Sequence, residues 1–123
     1  MSAATRLYVP VTVEELRSLA EAGTLDVVLD DAVVAESDAE DDEYAALMTA
    51  ADLSAERLAG APGRRIVVVV ELDPAAVGGG AIGAIRLRDV VALHADGEVR
   101  PADGDPDEDL GWYATQEIAA LLG

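Results

Sequence analysis

The chain has 123 residues, of which 25 are acidic and 8 are basic, so its formal net charge at pH 7 is −17. A charge of this sign and size repels phosphate backbones and argues against nucleic-acid binding by direct basic contact. The chain contains no Cys, which excludes disulfides, thiolate metal ligands and a nucleophilic cysteine.

The hydropathy pattern favours a cytoplasmic protein. Residues 1–10 lack the apolar core of a signal peptide. The longest strongly apolar run, residues 66–70, is far shorter than the ~20 residues of a membrane span. We therefore expect a cytoplasmic protein with no membrane partner, folded as a single domain over residues 1–123.

A strand and a helix are the first predicted elements. Residues 6–11 alternate in polarity as a half-buried strand does. Thr12 and Glu15 match a capping box, and Gly23 is placed to end the helix that follows. Next, residues 25–29 and 32–35 are two short apolar runs that predict a hairpin, or one strand preceded by a loop. The second run is the better strand candidate.

A long helix and a central strand follow. Ser37, Asp41 and Asp42 are acceptable caps for a helix over residues 43–59, which residues 60–63 end. Its predicted apolar stripe consists of Tyr44, Leu47, Met48, Ala51 and Leu58. Residues 65–72 lack polar alternation, which is typical of a central strand. Residues 84–87 and 90–95 predict two short strands, or one strand broken by a bulge near Asp89.

The C-terminal part combines an acidic tract with an apolar segment. Residues 101–111 predict an acidic mobile loop. From Trp112 to Leu122 the apolar residues suit one helical face. The order of elements indicates the α+β class and favours a ferredoxin-like α/β sandwich with an extra C-terminal strand and short helix. Such a fold hosts many functions and therefore indicates none.

A glycine motif lies between the central strand and the strands that follow it. Gly78, Gly80 and Gly83 match G-x-G-x-x-G, the pattern of a dinucleotide-binding loop. That loop must pass directly from a strand into a helix, whereas residues 73–77 intervene here and a predicted strand follows. The motif therefore favours a flexible connector.

The acidic tract has the spacing of a calcium loop over part of its length. Asp103, Asp105 and Asp107 occupy positions 1, 3 and 5 of such a loop. Glu108 replaces the glycine of position 6, and Ala114 replaces the bidentate Glu of position 12. The tract is typical of a solvated charge run, and we expect no metal or cofactor.

The candidate binding residues are a lone histidine and the polar and aromatic side chains near predicted helix entries. They are Glu43, Tyr44, His94, Trp112, Tyr113, Gln116 and Glu117. Aromatic side chains with a polar tip line ligand grooves or anchor partners, and they also close small cores in chains that lack Phe. His94 precedes Asp96 by two residues on one strand face, which suits a general base or a structural histidine.

Five segments together resemble a known family. They are RLYVPVT at residues 6–12, EYAAL at 43–47, RIVV at 65–68, VALHAD at 91–96 and WYATQEI at 112–118. In this order they look like a family of small actinobacterial proteins that carry a domain of unknown function. The resemblance spans nearly the whole chain and implies a bacterial, cytosolic setting. It transfers no catalytic residue.

Three functions are compatible with these patterns. We favour a non-catalytic interaction or regulatory domain, with an unknown protein partner or self-association through a sheet face or residues 112–118, because no strong nucleophile, metal cluster or phosphate loop is present. One alternative is a small-molecule-binding enzyme that uses His94 with Asp96 or Glu117 as acid and base. Another is an acidic mimic of nucleic acid that occupies a basic partner.

Overall fold

A computed structural model describes residues 5–28, 32–72 and 82–122, in which two strand–helix pairs are followed by four strands and a C-terminal helix. Within these ranges the α-helices are α1 (Val13–Ala22), α2 (Glu40–Glu56) and α3 (Ile118–Leu122). The strands are β1 (Thr5–Val11), β2 (Thr24–Val28), β3 (Ile66–Leu72), β4 (Ile82–Arg86), β5 (Val90–Ala95) and β6 (Gly111–Tyr113). Short 3-10 turns precede β5 and α3. The fold is of the α+β class.

A four-stranded antiparallel sheet, in the order β1-β3-β5-β6, forms the centre of the described structure. Residues 66–70 of β3 are all apolar and buried, which confirms the predicted central strand. A strand between two others, with both faces covered, needs apolar side chains at every position. β2 and β4 pair with each other in a separate two-stranded sheet.

The two faces of the central sheet carry different layers. On one face, which we call the α1 face, α1, α3 and the β2-β4 sheet pack against alternate residues such as Val9, Val68 and Leu93. On the other face, the α2 face, α2 packs against Tyr8, Val67 and neighbouring residues. Because side chains alternate along a strand, β1, β3 and β5 each supply residues to both cores.

The entry and exit of α1 follow the sequence signals. The Thr12 hydroxyl accepts from the Glu15 N–H at 3.1 Å, and the Glu15 carboxylate accepts from the Thr12 N–H at 3.0 Å. Gly23 ends the helix with φ at 77°, a left-handed conformation that glycine adopts without steric cost. The predicted capping box and helix end are confirmed.

The segment between α1 and α2 differs from the prediction. Thr24–Val28 is the strand, paired with β4, whereas Val33 forms an isolated bridge with Tyr8 on the outer edge of β1. The prediction that residues 32–35 are the better strand is therefore wrong. In strand β2, Val27 packs into the α1-face core with Ile85 of β4. Because β4 lies far away in the sequence, no local pattern predicts that pairing. Residues 29–31 lie outside the described residues.

Helix α2 buries part of the predicted stripe, since Ala51 is buried and Leu47 packs against the α2-face core, but most of its buried residues were not predicted. Its buried residues are Ala46, Ala50, Ala51 and Ser54, while Tyr44 is half exposed. Small side chains let the helix lie close to the sheet, where the branched side chains of β3 fill the remaining space. The helix begins at Glu40 without a side-chain cap, and the Ser37 hydroxyl accepts from the Ala39 N–H instead.

The finer topology shows both agreement and difference. Residues 84–87 and 90–95 contribute to two separate strands, and a C-terminal strand and short helix are present as predicted. A ferredoxin-like arrangement is not confirmed, because β2 and β4 do not join the main sheet but pair with each other in a second one. The Gly78–Gly80 loop lies outside the described residues. None of the helices in the described ranges is long and apolar enough to cross a membrane.

Candidate functional site

An exposed apolar surface lies on the α2 face near β5 and β6. Helix α2 packs over β1 and β3. Two large aromatic side chains stay exposed there: Trp112 of β6 is 62% exposed and Tyr44 of α2 is 50% exposed. The Tyr44 hydroxyl donates to Asp109, three residues before Trp112, which brings the two aromatic residues to the same edge.

Trp112 lies directly across from His94 in the β5-β6 ladder. Residues that oppose each other in an antiparallel pair point to the same face of the sheet. His94 also pairs with Val67, whose side chain lies in the α2-face core, so both side chains project on that face. His94 is half-buried, and this burial lowers the pKa of its imidazole.

The backbone of Trp112 faces the outer edge of the sheet. The Asp96 N–H donates to the Arg65 carbonyl beside β3 at 3.1 Å. His94, two residues earlier on β5, presents its N–H and C=O in the same direction, toward β3. Its cross-strand neighbour Trp112 therefore belongs to a non-hydrogen-bonded pair, and the Trp112 N–H and C=O point away from β5.

A buried ion pair lies beneath the acidic tract, which we define as residues 103–109. Both Asp96 carboxylate oxygens accept from the Arg65 side chain, at 2.8 Å and 3.0 Å, and the Arg65 N–H adds a third hydrogen bond at 2.8 Å. The two side chains are only 3% and 5% exposed. Burial alone would raise the pKa of Asp96, but the hydrogen bonds and charge of Arg65 outweigh burial and hold that pKa below its ordinary value.

The arginines of this region hold the acidic tract by its main chain. Arg65 donates to the Pro106 carbonyl at 3.1 Å and to the Glu108 carbonyl at 2.8 Å. Arg100 donates to the Asp105 carbonyl, and its guanidinium lies 3.4 Å from the Glu108 carboxylate. The predicted mobility of residues 101–111 stays a prediction, but these contacts give the tract fixed anchor points.

Most carboxylates of the tract are left without a cation. In the part of the chain that the structure describes, no basic group lies within 4.0 Å of the carboxylates of Asp103, Asp105, Asp107 or Asp109. Asp109 accepts from the Tyr44 hydroxyl at 2.7 Å, and this hydrogen bond raises the pKa of Tyr44. The bond ties α2 to the residues that lead into β6.

The structure brings together some of the sequence-predicted site residues. His94 and Trp112 are direct neighbours, and Tyr44 reaches the same edge through Asp109. Glu43, next to Tyr44 in sequence, is instead held by Arg6 of β1 at 2.9 Å.

The remaining candidates lie away from this surface. Tyr113 packs partly buried against the α1-face core, because its side chain alternates with that of Trp112. Gln116 is exposed in the 3-10 turn. Glu117 accepts from the Ala114 N–H at 2.9 Å and so caps that turn.

The residues that sequence reasoning missed are Arg65 and Arg100. Only a weak sequence pattern indicated their role. Arg65 stands at the start of an apolar buried strand, and a buried guanidinium requires a carboxylate partner. That partner is Asp96, which the sequence suggested as a companion of His94. With both oxygens bound to Arg65, the Asp96 carboxylate is occupied as an anchor.

A cavity of about 300 Å³ lies between the end of α2 and the acidic tract. Its charged lining includes Arg65, Arg100 and Asp52. The positive charges are offset by the Asp96 and Glu108 carboxylates, so the cavity presents no spare charge for an anion. Within the described ranges no three His, Cys, Asp or Glu side chains are grouped to hold a metal ion.

Comparison with known proteins places these features within a family. A family model described as "Family of unknown function (DUF6912)" matches residues 5–122. Neither the curated proteins nor the solved structures contain a match to the chain. The matched range runs from β1 to α3, so the whole candidate site falls inside it.

Proposed function

The chain belongs to this family of unknown function, and we propose that it is a non-catalytic protein-interaction domain that binds a partner protein through β6 and Trp112. The observation that carries the proposal is the placement of Trp112. Its indole is 62% exposed on the α2 face, and its backbone N–H and C=O point to the edge of the sheet. Tryptophan is enriched among the residues that dominate binding energy at protein interfaces.

The neighbours of Trp112 support a binding surface. Tyr44 is a second large side chain that stays exposed, and its hydroxyl contacts Asp109, three residues before Trp112. Exposed apolar side chains grouped in this way are a feature of interaction sites, whereas single ones are common on any surface. Tyr44 adds a hydroxyl that is already oriented by Asp109.

The contacts of Asp96 favour this function over acid-base catalysis. A general base must be free to accept a proton from a substrate. The Asp96 carboxylate is buried, bound through both oxygens to Arg65, and has a lowered pKa, so it is poorly suited to that role. Because His94 has no free carboxylate partner, its imidazole is better suited to contact a bound protein than to act as a general base.

The test is site-specific photo-crosslinking in a lysate of the cells from which the sequence comes. A benzophenone amino acid replaces Trp112 in one protein and Val99 in a matched control. Val99 is also a large exposed side chain, at 66%, but it lies outside β6. We expect one protein to be crosslinked from position 112 and not from position 99.

Competition makes the test specific to the indole. Excess unlabelled wild-type protein should suppress the adduct at position 112, as should Val99→Ala, whereas Trp112→Ala should fail to do so. Because the indole is largely exposed, Trp112→Ala should change the free energy of unfolding by less than about 1 kcal/mol, and circular dichroism checks this. Equal crosslinking from positions 112 and 99, or competition by Trp112→Ala equal to that of wild type, would refute the proposal.

A further inference from the structure

We propose that the partner docks as an extended Lys- and Arg-rich segment, which adds to β6 as a further strand of the central sheet. This inference rests on the proposed function and specifies the chemistry of its partner. It combines an unpaired strand edge, an exposed apolar anchor and a strongly acidic surrounding.

The geometry of the β6 edge permits the addition of another strand. The Trp112 N–H and C=O point away from β5, and no described backbone group pairs with them. Unpaired strand edges are templates for the addition of another strand. Proteins often protect such edges with Pro, Lys or a bulge, and residues 110–114 contain neither Pro nor Lys.

The next donor along this edge is already occupied. The Ala114 N–H donates to the Glu117 carboxylate at 2.9 Å. An added strand can therefore form ladder hydrogen bonds with Trp112 and toward Leu110, on the side of the acidic tract. So short a ladder supplies little affinity alone, and side chains must contribute the rest.

The Trp112 indole provides an apolar anchor for the added strand. In an added strand, alternate side chains point to the two faces of the sheet. Those on the α2 face lie beside the exposed Trp112 indole. The segment should therefore carry apolar side chains at alternate positions to cover Trp112.

The negative charge of the acidic tract favours a basic segment as the partner. The tract that leads into β6 has four aspartates without a cation within 4.0 Å among the described residues. Arg65 and Arg100 reach the tract mainly through its carbonyls and so leave most of this negative charge uncompensated. Lys and Arg side chains on the incoming strand would supply that compensation and speed association.

The same charge argues against a second copy of the chain. Each copy carries −17. Pairing of two β6 strands would bring together two copies whose acidic tracts lead directly into the paired edge. Surfaces of like charge repel each other and disfavour association.

The experiment uses a ten-residue peptide of alternating Lys and Val as the probe for the full chain. The first control is the same peptide with alternate amides N-methylated on one edge, which keeps the charge but blocks the ladder. The second control alternates Glu and Val. We expect the Lys-Val peptide to bind at least tenfold more tightly than either control, and Trp112→Ala to weaken it about tenfold.

Amide hydrogen exchange locates the ladder. On addition of the Lys-Val peptide, exchange of the Trp112 amide should slow at least tenfold, while exchange of the exposed amides of residues 97–99 should stay unchanged. The double variant Asp103→Asn/Asp107→Asn should weaken binding about fivefold or more. The matched variant Glu21→Gln/Asp26→Asn, with the same charge change on the other side of the sheet, should change it less than twofold.

The outcomes separate this inference from the proposed function. Equal binding of the N-methylated peptide would mean electrostatic adsorption and would overturn strand addition. A concentration-dependent dimer in sedimentation, crosslinked through position 112, would identify a second copy and overturn the basic segment. If position 112 crosslinks a partner while the peptide leaves Trp112 exchange unchanged, the proposed function stands and this inference fails; if neither occurs, both fail.

Discussion

Replacing Asp96 by Ala leaves the Arg65 guanidinium charged and buried without its carboxylate. In the wild type the two side chains are 3% and 5% exposed and share two side-chain hydrogen bonds. Removing one partner of a buried ion pair costs about 3–5 kcal/mol, because the remaining charge loses both water and its counterion. A domain of this size has a total stability of about 5–15 kcal/mol, so Asp96→Ala should remove a large part of it.

The magnitude can be restated as a melting temperature. With an unfolding entropy of about 2.1 cal/mol/K per residue, a loss of 3–5 kcal/mol lowers the melting temperature of a 123-residue chain by about 12–19 °C. Far-UV circular dichroism in urea and on heating is the assay, because the single Trp is already exposed and should report unfolding weakly. The control is Asp103→Ala, an exposed aspartate of the acidic tract, which should change stability by less than about 0.5 kcal/mol.

The pH dependence gives the same prediction an independent check. The folded-state pKa of Asp96 is lowered, so its contribution is complete above the unfolded pKa and is lost as pH falls through the folded pKa. The stability difference between wild type and Asp96→Ala should therefore be constant above about pH 5 and shrink below about pH 4. Arg65→Met combined with Asp96→Ala should cost less than the sum of the single variants, because no buried charge remains. A stability of Asp96→Ala within 1 kcal/mol of wild type at pH 7 would show that the ion pair does not stabilise this region.

Three further predictions concern single side chains. His94 has a pKa lowered by burial, so its contribution is complete above the unfolded pKa near 6.5 and is lost as pH falls; unfolding curves between pH 7.5 and 5 should show a smaller loss of stability in His94→Gln than in wild type. The buried Ser54 hydroxyl donates to a β1 carbonyl at 2.9 Å and accepts from a β3 N–H at 3.0 Å. Ser54→Ala leaves these two buried backbone groups without a hydrogen-bond partner, so it should lower the free energy of unfolding by about 1–3 kcal/mol per group. Unfolding in urea measures this against the exposed control Ser18→Ala, and equal effects of the two variants would contradict this role. Thr12→Ala removes a capping-box hydrogen bond and should cost about 1 kcal/mol of unfolding free energy by the same assay, whereas an unchanged midpoint would show that the cap does not contribute.

The sequence predicted the elements whose signals are local. The capping box of α1 and the glycine that ends this helix act within a few residues, and the structure has both. The apolar run of β3 predicted a central strand, because a strand that is covered on both faces needs apolar side chains at successive positions. The family resemblance likewise followed from motifs in the sequence, and the family match over residues 5–122 confirms a domain of unknown function.

The tertiary structure decided what depends on residues far apart in the chain. Arg65 and Asp96 are 31 positions apart, and Tyr44 and Asp109 are 65 positions apart, so neither contact has a local pattern. The stripe of α2 was predicted only in part for the same reason: Ala51 was expected, but the other small buried side chains fit the branched surface of β3, and hydropathy alone favours larger ones. The sequence singled out Trp112 and His94 as residues, but only strand register makes them neighbours on one face and turns the Trp112 backbone to the edge. Register is a property of paired strands, and β5 and β6 come together only when the sheet forms.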